Sequence, residues 1–254
     1  MEMYVQQNQP PGVPPLELTG ERTLPDVPAE NYWFQRHLAV YEWIAARVEG
    51  LRVLDMACGE GYGSDVLAAS ARSVVGVDAN PEAHEHARLR YRRPNVSFER
   101  GMVENFGEAG EFDAVVFLQT IEHVQEPEAV LAHFKGLLAP GGVAFVSTPN
   151  VLTLAPPGEP RSGNPWHVRE YRAGEFAQLC QSVFGNVELL GLFHARKLRV
   201  HAVALSLGWD AVHARLRITK PFYDRFTPAI RTRDFALRPG GLDRALDFLA
   251  VCRG

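Results

Sequence analysis

Three short stretches of this chain hold residues that could grip a charged small molecule or move a proton. In the first, Val53-Leu54-Asp55 leads through Ala57 and Cys58 to Gly59-Glu60-Gly61-Tyr62-Gly63. Glycines there let the backbone turn tightly and approach a ligand. Asp78 follows about 20 residues after Gly59, the spacing at which a carboxylate meets a ribose diol in a doubly wound nucleotide site. The second stretch is Gln119-Thr120-Ile121-Glu122-His123 and the third is Asn164-Pro165-Trp166-His167-Val168-Arg169-Glu170. Histidine is a suitable general base near neutral pH, and a neighbouring carboxylate can orient its ring. Held by Pro165 and Trp166, His167 is the leading base and His123 the second, with Glu122 or Glu170 as the orienting carboxylate; His194 is a third histidine in a comparable place. Trp166 offers a face on which a sugar ring could stack.

The kind of nucleotide is read from departures from the dinucleotide pattern. A pyrophosphate site wants G-x-G-x-x-G at a helix N-terminus. Here the third glycine, Gly63, comes one residue early, and Asp55 and Glu60 crowd the loop. Anions repel a pyrophosphate but suit a cation. S-adenosylmethionine carries a sulfonium and an ammonium and no phosphate, so it is the expected cofactor.

The elements that must position these residues alternate. A helix over about 31–49 shows Phe34, Leu38, Tyr41, Ala45 and Val48 on one face, with Asn31 as a plausible cap. Strands are expected at about 51–55, 73–77, 95–99, 112–118 and 143–147, with helices between them, one opening at Pro81 behind capping Asn80 and one opening at Pro127 and closed by Gly141 and Gly142. The continuously apolar Phe112–Leu118 run fits a parallel strand buried on both faces. A helix over about 173–184 and strands over about 186–192 and 247–252 complete the pattern. This alternation predicts an α/β, doubly wound, mostly parallel sheet. Residues 1–30, rich in Pro, Gln and Asn, are expected to be irregular, with the first ~15 mobile. Residues 194–245 are too long for a hairpin and read as a helical insertion near the acceptor site. The domain proper is 31–254.

Across residues 50–150 the chain resembles the class I S-adenosylmethionine-dependent methyltransferases. The resemblance rests on VLDMACGEGYG, VVGVDAN, FERGMVENF, FDAVVFLQTIEHV and LLAPGGVAFVSTPN in that order. The flanks LTGERTLPDVPAENYWFQRH, GNPWHVREY and GLFHARKLR resemble actinobacterial methyltransferases linked to methylated polysaccharides such as the methylglucose lipopolysaccharides. The resemblance implies a Rossmann-like seven-stranded sheet whose last strand runs antiparallel. It also implies a cofactor site made by Asp55, Ala57, Gly59, Gly61, Asp78, Ala79, Met102, Val103 and Gln119, with Met102 and Val103 bordering the adenine. Many relatives carry an Asp at the Met102 position. Some bind a divalent cation through a Glu-x-x-Glu-His pattern; Gln119 replaces its first Glu, so no metal is expected.

Bulk properties bound the partners. Net charge is −4 over 254 residues, which provides no overall basic field for nucleic acid or an anionic membrane; Arg215, Arg217, Arg231, Arg233 and Arg238 read as a solvated face. Three cysteines give no disulfide framework or zinc motif, no apolar run reaches the ~20 residues of a membrane span, and no signal peptide is evident. A cytoplasmic enzyme is expected, an O-methyltransferase acting on a saccharide hydroxyl of a small-molecule or oligosaccharide acceptor. The alternatives are methylation of a phenolic or polyketide metabolite, and a non-catalytic cofactor-binding regulator.

Overall fold

The computed structural model describes residues 4–19 and 22–254. Its elements are α1 (Asn31–Ala45), β1 (Arg52–Met56), α2 (Tyr62–Leu67), β2 (Ser73–Asp78), α3 (Pro81–Arg90), β3 (Val96–Arg100), β4 (Phe112–Leu118), α4 (Pro127–Leu137), β5 (Leu138–Pro149) and α5 (Val151–Leu154). They continue with α6 (Ala173–Gln181), β6 (Asn186–His194), α7 (Arg196–Ser206), α8 (Trp209–Leu216), α9 (Thr219–Phe226), β7 (Phe235–Arg238) and β8 (Asp247–Arg253). The sheet order is β3-β2-β1-β4-β5-β8-β6-β7. β1 to β5 pair in parallel, while β8 runs antiparallel to both β5 and β6.

The sheet therefore has eight strands where seven were expected. The additional strand is β7, inside the 194–245 insertion, which pairs antiparallel with β6 from His194↔Phe235 to Gly191↔Arg238. Besides α7, α8 and α9 the insertion thus supplies an edge strand, and its first residue, His194, is the last residue of β6.

Each strand sends neighbouring side chains to opposite faces, and both faces are covered. Leu54, Phe117, Val146 and Phe248 pack with Phe134 of α4 and Phe176 of α6. Val53, Val116, Phe145 and Leu249 pack with Val40 and Ile44 of α1 and Leu67 of α2. This alternation within uniformly apolar strands explains why β4 reads as continuous hydrophobic sequence.

Several local expectations need correction. Tyr41 and Val48 of the expected face are buried and Ala45 packs beside them, while Phe34 and Leu38 are only half-buried and Val40 and Ile44 are buried as well, because neighbouring elements pack on more than one side of α1. Asn31 caps nothing; its side-chain amide instead donates to the carbonyls of Thr227 (2.8 Å) and Ile230 (3.1 Å). Gly141 and Gly142 lie within β5 rather than ending a helix. Asn80 does cap α3, accepting from the amides of Glu82 and Ala83. The N-terminal segment is irregular but packed down: Val13, Leu24 and Val27 are buried, and the Gln6 amide donates to Glu60 at 3.1 Å. Residues 1–3 of the stretch expected to be mobile, and Gly20 and Glu21 of the resembling flank, lie outside the described residues.

Candidate active site

The strand order reverses between β1 and β4, and in open α/β sheets the crevice beyond the carboxyl ends of such strands receives ligands. Two residues there, Ala57 after β1 (φ 57°) and Gln119 after β4 (φ 51°), adopt left-handed backbone conformations. That region costs a residue with a Cβ on the order of 1–3 kcal/mol and is tolerated where the surrounding structure enforces it. Both line a cavity of about 450 Å³, with Cys58, Gly59, Asp78, Leu118, His123 and Ser147 also in its wall.

The three glycines of the loop serve different ends. Gly59 has φ 56°, and a Cβ on it would meet nothing within 4 Å, so the loop leaves room there for a ligand. A Cβ on Gly61 would stand 2.7 Å from the Ala87 Cβ and 2.9 Å from the Phe98 ring; this glycine lets α3 and β3 close on the loop. A Cβ on Gly63 would lie 2.1 Å from the Tyr41 ring, so the third glycine makes room for Tyr41, itself a wall of the cavity.

The acids divide. Asp78 lines the cavity; it accepts from the Gly59 amide and from the Asn80 amide, each at 2.8 Å. A carboxylate has about four acceptor positions, so capacity remains for a diol. Asp55 lies beneath the loop, fully buried, accepting from Ser64 Oγ at 2.7 Å and the Tyr41 hydroxyl at 3.2 Å. Burial pushes its pKa up to about 7 despite those two donors. Glu60 lines the cavity too, but its carboxylate is engaged by Tyr91, Gln6, His86, Arg90 and the Tyr62 amide. The structure therefore corrects the reading in which Asp55 and Glu60 present their charge to a cationic ligand: both are consumed by protein groups. Cys58 is buried and its thiol is pushed well up, chiefly by burial, as befits a packing residue.

Of the remaining expected contacts, Gln119 sits in the wall, its amide nitrogen donating to Ser147 Oγ at 3.0 Å. Val103 lines a neighbouring hollow of about 360 Å³ that shares Thr120 and His123 with the first. Met102 is exposed, and neither it nor Ala79 lines either space.

His123 stands in the 3-10 turn Ile121–His123 at the junction of the two spaces. Its Nδ1 lies 2.9 Å from the Trp166 carbonyl. A carbonyl only accepts, so Nδ1 carries the proton and Nε2 is the basic nitrogen of the neutral ring. His167 lies 5.1 Å away, ring centroid to centroid, but lines neither space. Its Nδ1 is 2.7 Å from Glu170 Oε1, and its Nε2 accepts from the Asn164 amide at 3.0 Å. Burial alone would raise Glu170, but Ser162 and His167 hold it below the ordinary carboxylate range. The expected His167–Glu170 pair thus exists, with its far nitrogen occupied inside its own loop. Glu122 is buried behind His123, pushed up to about 8 by burial, and accepts from Thr148 Oγ1 at 3.1 Å. Its backbone carbonyl accepts the amides of Val168 and Arg169, which holds Trp166 over the cavity. His194 Nε2 shares a 2.8 Å hydrogen bond with the Tyr32 hydroxyl and lines neither space.

Thr23, His37, Tyr41 and Tyr62 also line the cavity and were missed as site residues. His37 is lowered to about 4, mainly by burial, and is therefore neutral; its Nδ1 shares a 2.6 Å hydrogen bond with Thr23. The clash that Gly63 avoids with Tyr41 links α1 to the loop, but that contact is invisible without coordinates.

A family model for a methyltransferase domain matches residues 30–203. A protein of Mycolicibacterium smegmatis named as a probable S-adenosylmethionine-dependent methyltransferase is 37% identical over 250 residues, 93% of this chain and 94% of its own. The ubiquinone biosynthesis O-methyltransferase of Aromatoleum aromaticum is 32% identical over 205 residues, 70% of this chain and 84% of its own. Among solved structures, an S-adenosylmethionine-dependent methyltransferase from Thermotoga maritima shares the fold with a TM-score of 0.59 at 16% identity, over 88% of this chain and 94% of that one. The chain belongs to the S-adenosylmethionine-dependent methyltransferases. It is thus an enzyme with S-adenosylmethionine as cofactor, not a non-catalytic regulator.

The residues of this methyltransferase fit that cofactor. The cavity is within the usual few-hundred-Å³ range of ligand sites, lies at the topological switch point, opens over Gly59 and presents the Asp78 carboxylate. Glu122, His123 and His167 each bring one potential ligating atom within 4.8 Å of the others.

Proposed function

We propose that the chain transfers a methyl group to a hydroxyl oxygen, with His123 as general base. The observation that carries this reading is the position of His123 between two adjoining spaces, its tautomer set by the Trp166 carbonyl. Bound S-adenosylmethionine supplies the electrophilic methyl. The protein's part is to align the acceptor and take its proton: Asp78, the Gly59 backbone and Gln119 hold the cofactor side, Nε2 of His123 receives the hydroxyl proton, and Tyr41, Tyr62 and Trp166 wall off water. Alignment and proton removal are the main levers in such a displacement.

A saccharide hydroxyl is the acceptor we favour, supported by Trp166, half exposed at the cavity as a stacking face. The relative named for ubiquinone biosynthesis favours a second reading, a phenolic or polyketide hydroxyl. No helix among the described residues is long and apolar enough to cross a membrane, and the three cysteines are all free and buried; a cytoplasmic setting is part of the proposal.

Radiolabelled methyl transfer to oligosaccharide and phenolic acceptors tests the acceptor. His123→Ala should lower turnover about 100- to 10,000-fold, the usual range for a lost general base, with the affinity for S-adenosylhomocysteine unchanged. Near-normal turnover in that variant, with collapse in His167→Ala, would hand the role to His167. The reaction is proposed to be metal-independent, because both ring nitrogens of His167 are already engaged and burial pushes Glu122 up, away from the charged form a cation needs. Activity should survive EDTA; loss restored by magnesium would make Glu122, His123 and His167 a cation site instead.

A further inference from the structure

α7, α8 and α9 form a small three-helix layer with apolar residues on both sides. Inward, His201, His213, Phe222 and Phe226 pack ring against ring, with His213 centroids 4.6 Å from Trp209 and from Phe222. Outward, Val200, Val203 and Leu207 recur at three- and four-residue steps along α7 and just past its end, and on α8 Trp209, Val212 and Leu216 are exposed along the flank of the face that buries His213. All six are exposed, Leu207 at 82% and Val200 at 70%. A helix apolar on both faces normally has both covered, and isolated soluble domains seldom display such a stripe without a use for it.

Charge says what covers it. From Arg196 to Phe226 the chain has five arginines and two lysines against only Asp210 and Asp224, although the whole protein is at −4. The acidic surplus therefore lies elsewhere. Arg196, Arg199, Arg215 and Arg217 are exposed, and among the described residues none of the four forms a salt bridge; the ion pairs of this layer are Lys197–Asp234 and Lys220–Asp224. Apolar stripes flanked by unpaired cations, with a tryptophan between them, are the pattern of helices that lie in the headgroup region of an anionic bilayer. A second copy of the chain fits less well, because a two-fold contact would bring the same cations face to face.

We propose that α7 and α8 dock this protein on an anionic lipid surface. β6 runs in the same direction as β5, through β8 between them, so α7 leaves the sheet at the edge that carries the cavity. Docking would keep the active site next to acceptors held at that surface. Of the five arginines read as a solvated face, all are exposed, and Arg215 and Arg217 belong to this local basic face, which the overall charge conceals. The inference stands apart from the choice of base or acceptor, since it concerns a surface that does not line the cavity.

The test is flotation of the full chain with vesicles of phosphatidylcholine alone or mixed with phosphatidylglycerol. Binding should be at least tenfold stronger to the mixed vesicles and lost at high salt. Arg199→Ala, Arg215→Ala and Arg217→Ala together should weaken it by about 100-fold, at about fivefold per cation near an anionic surface. Val203→Glu with Leu207→Glu should abolish it. Both variants must keep wild-type thermal unfolding and affinity for S-adenosylhomocysteine, which separates lost docking from lost fold. Equal binding to both vesicle types, or none, overturns the proposal. So does analytical ultracentrifugation that finds a dimer which Val203→Glu with Leu207→Glu dissociates, for then the stripe is an interface between copies.

Discussion

The glycine-loop end of the sheet and the α7–α9 layer treat buried polar groups in opposite ways. At the loop, Asp55 receives two hydroxyl donors, Glu60 receives Tyr91, Gln6 and His86, and Asp78 receives two amides. In the helical layer His213 is buried with neither ring nitrogen hydrogen-bonded, and aromatic faces rather than polar pairs hold the helices together. Satisfied networks fix one geometry, whereas an unsatisfied buried group costs stability. The molecule is therefore built for positional accuracy where the methyl donor binds and for looser packing where the insertion meets its surroundings.

The largest test of this contrast is at Asp78. Asp78→Ala removes two amide contacts of the loop as well as the diol acceptor. Two charged hydrogen bonds at about 1.5–3 kcal/mol each predict a loss of about 3–6 kcal/mol in S-adenosylhomocysteine binding, measurable by calorimetry. Affinity within tenfold of wild type would mean that the loop is held by other groups.

A second effect concerns pH. Glu122 is raised to about 8 and Asp55 to about 7 in the fold, while both ionise near 4 when unfolded. Between those values the unfolded state has released protons that the folded state keeps, so stability falls as pH rises from about 4 to 8. Glu122→Gln keeps the acceptor for Thr148 but cannot ionise, and should flatten part of that fall, on the order of 3 kcal/mol between pH 4.5 and 7. Denaturant midpoints across this range check it; an unchanged slope would mean that Glu122 is charged in the fold.

The smallest effect is on the other side of the comparison. His213→Leu replaces an unpartnered buried imidazole with an apolar side chain of similar size and should stabilise the fold by about 1–3 kcal/mol. A destabilised variant would reveal a polar partner for His213 and erase the contrast between the two regions.

The cofactor half was legible because its signals are local. Asp55, the glycine loop, Asp78, the Asn80 cap and the apolar β4 all announce themselves within a few residues. What could not be read depends on facing. Asp55 and Glu60 have the composition of a cation site, but their direction is set by Tyr41, Ser64, Tyr91 and His86, which come from separate elements. His167 ranks ahead of His123 as the base in the sequence, and only the structure shows the loop that holds His167 closing on itself through Asn164 and Glu170. β7 escaped notice because four residues, Phe235–Arg238, are too few for a pattern, and the α1 face was read too narrowly, without Val40 and Ile44, because more than one of its sides is packed.

β8 is the last strand in order yet fills the gap between β5 and β6. During synthesis β1 to β5 can assemble from neighbouring βα units, but the β6–β7 ribbon has no place in the sheet until Asp247–Arg253 emerges. The same strand brings Asp247, which holds Arg36 of α1 by a bidentate pair at 2.6 and 2.5 Å across 211 residues of sequence. Until then Arg36 has no counter-ion in its buried seat, and such a lone charge costs roughly 3–5 kcal/mol. α1 carries His37 and Tyr41 into the cavity wall, so the ligand site closes only after Asp247–Arg253 has been made, and a nascent chain halted before β8 would expose an unfinished sheet edge to the quality-control machinery.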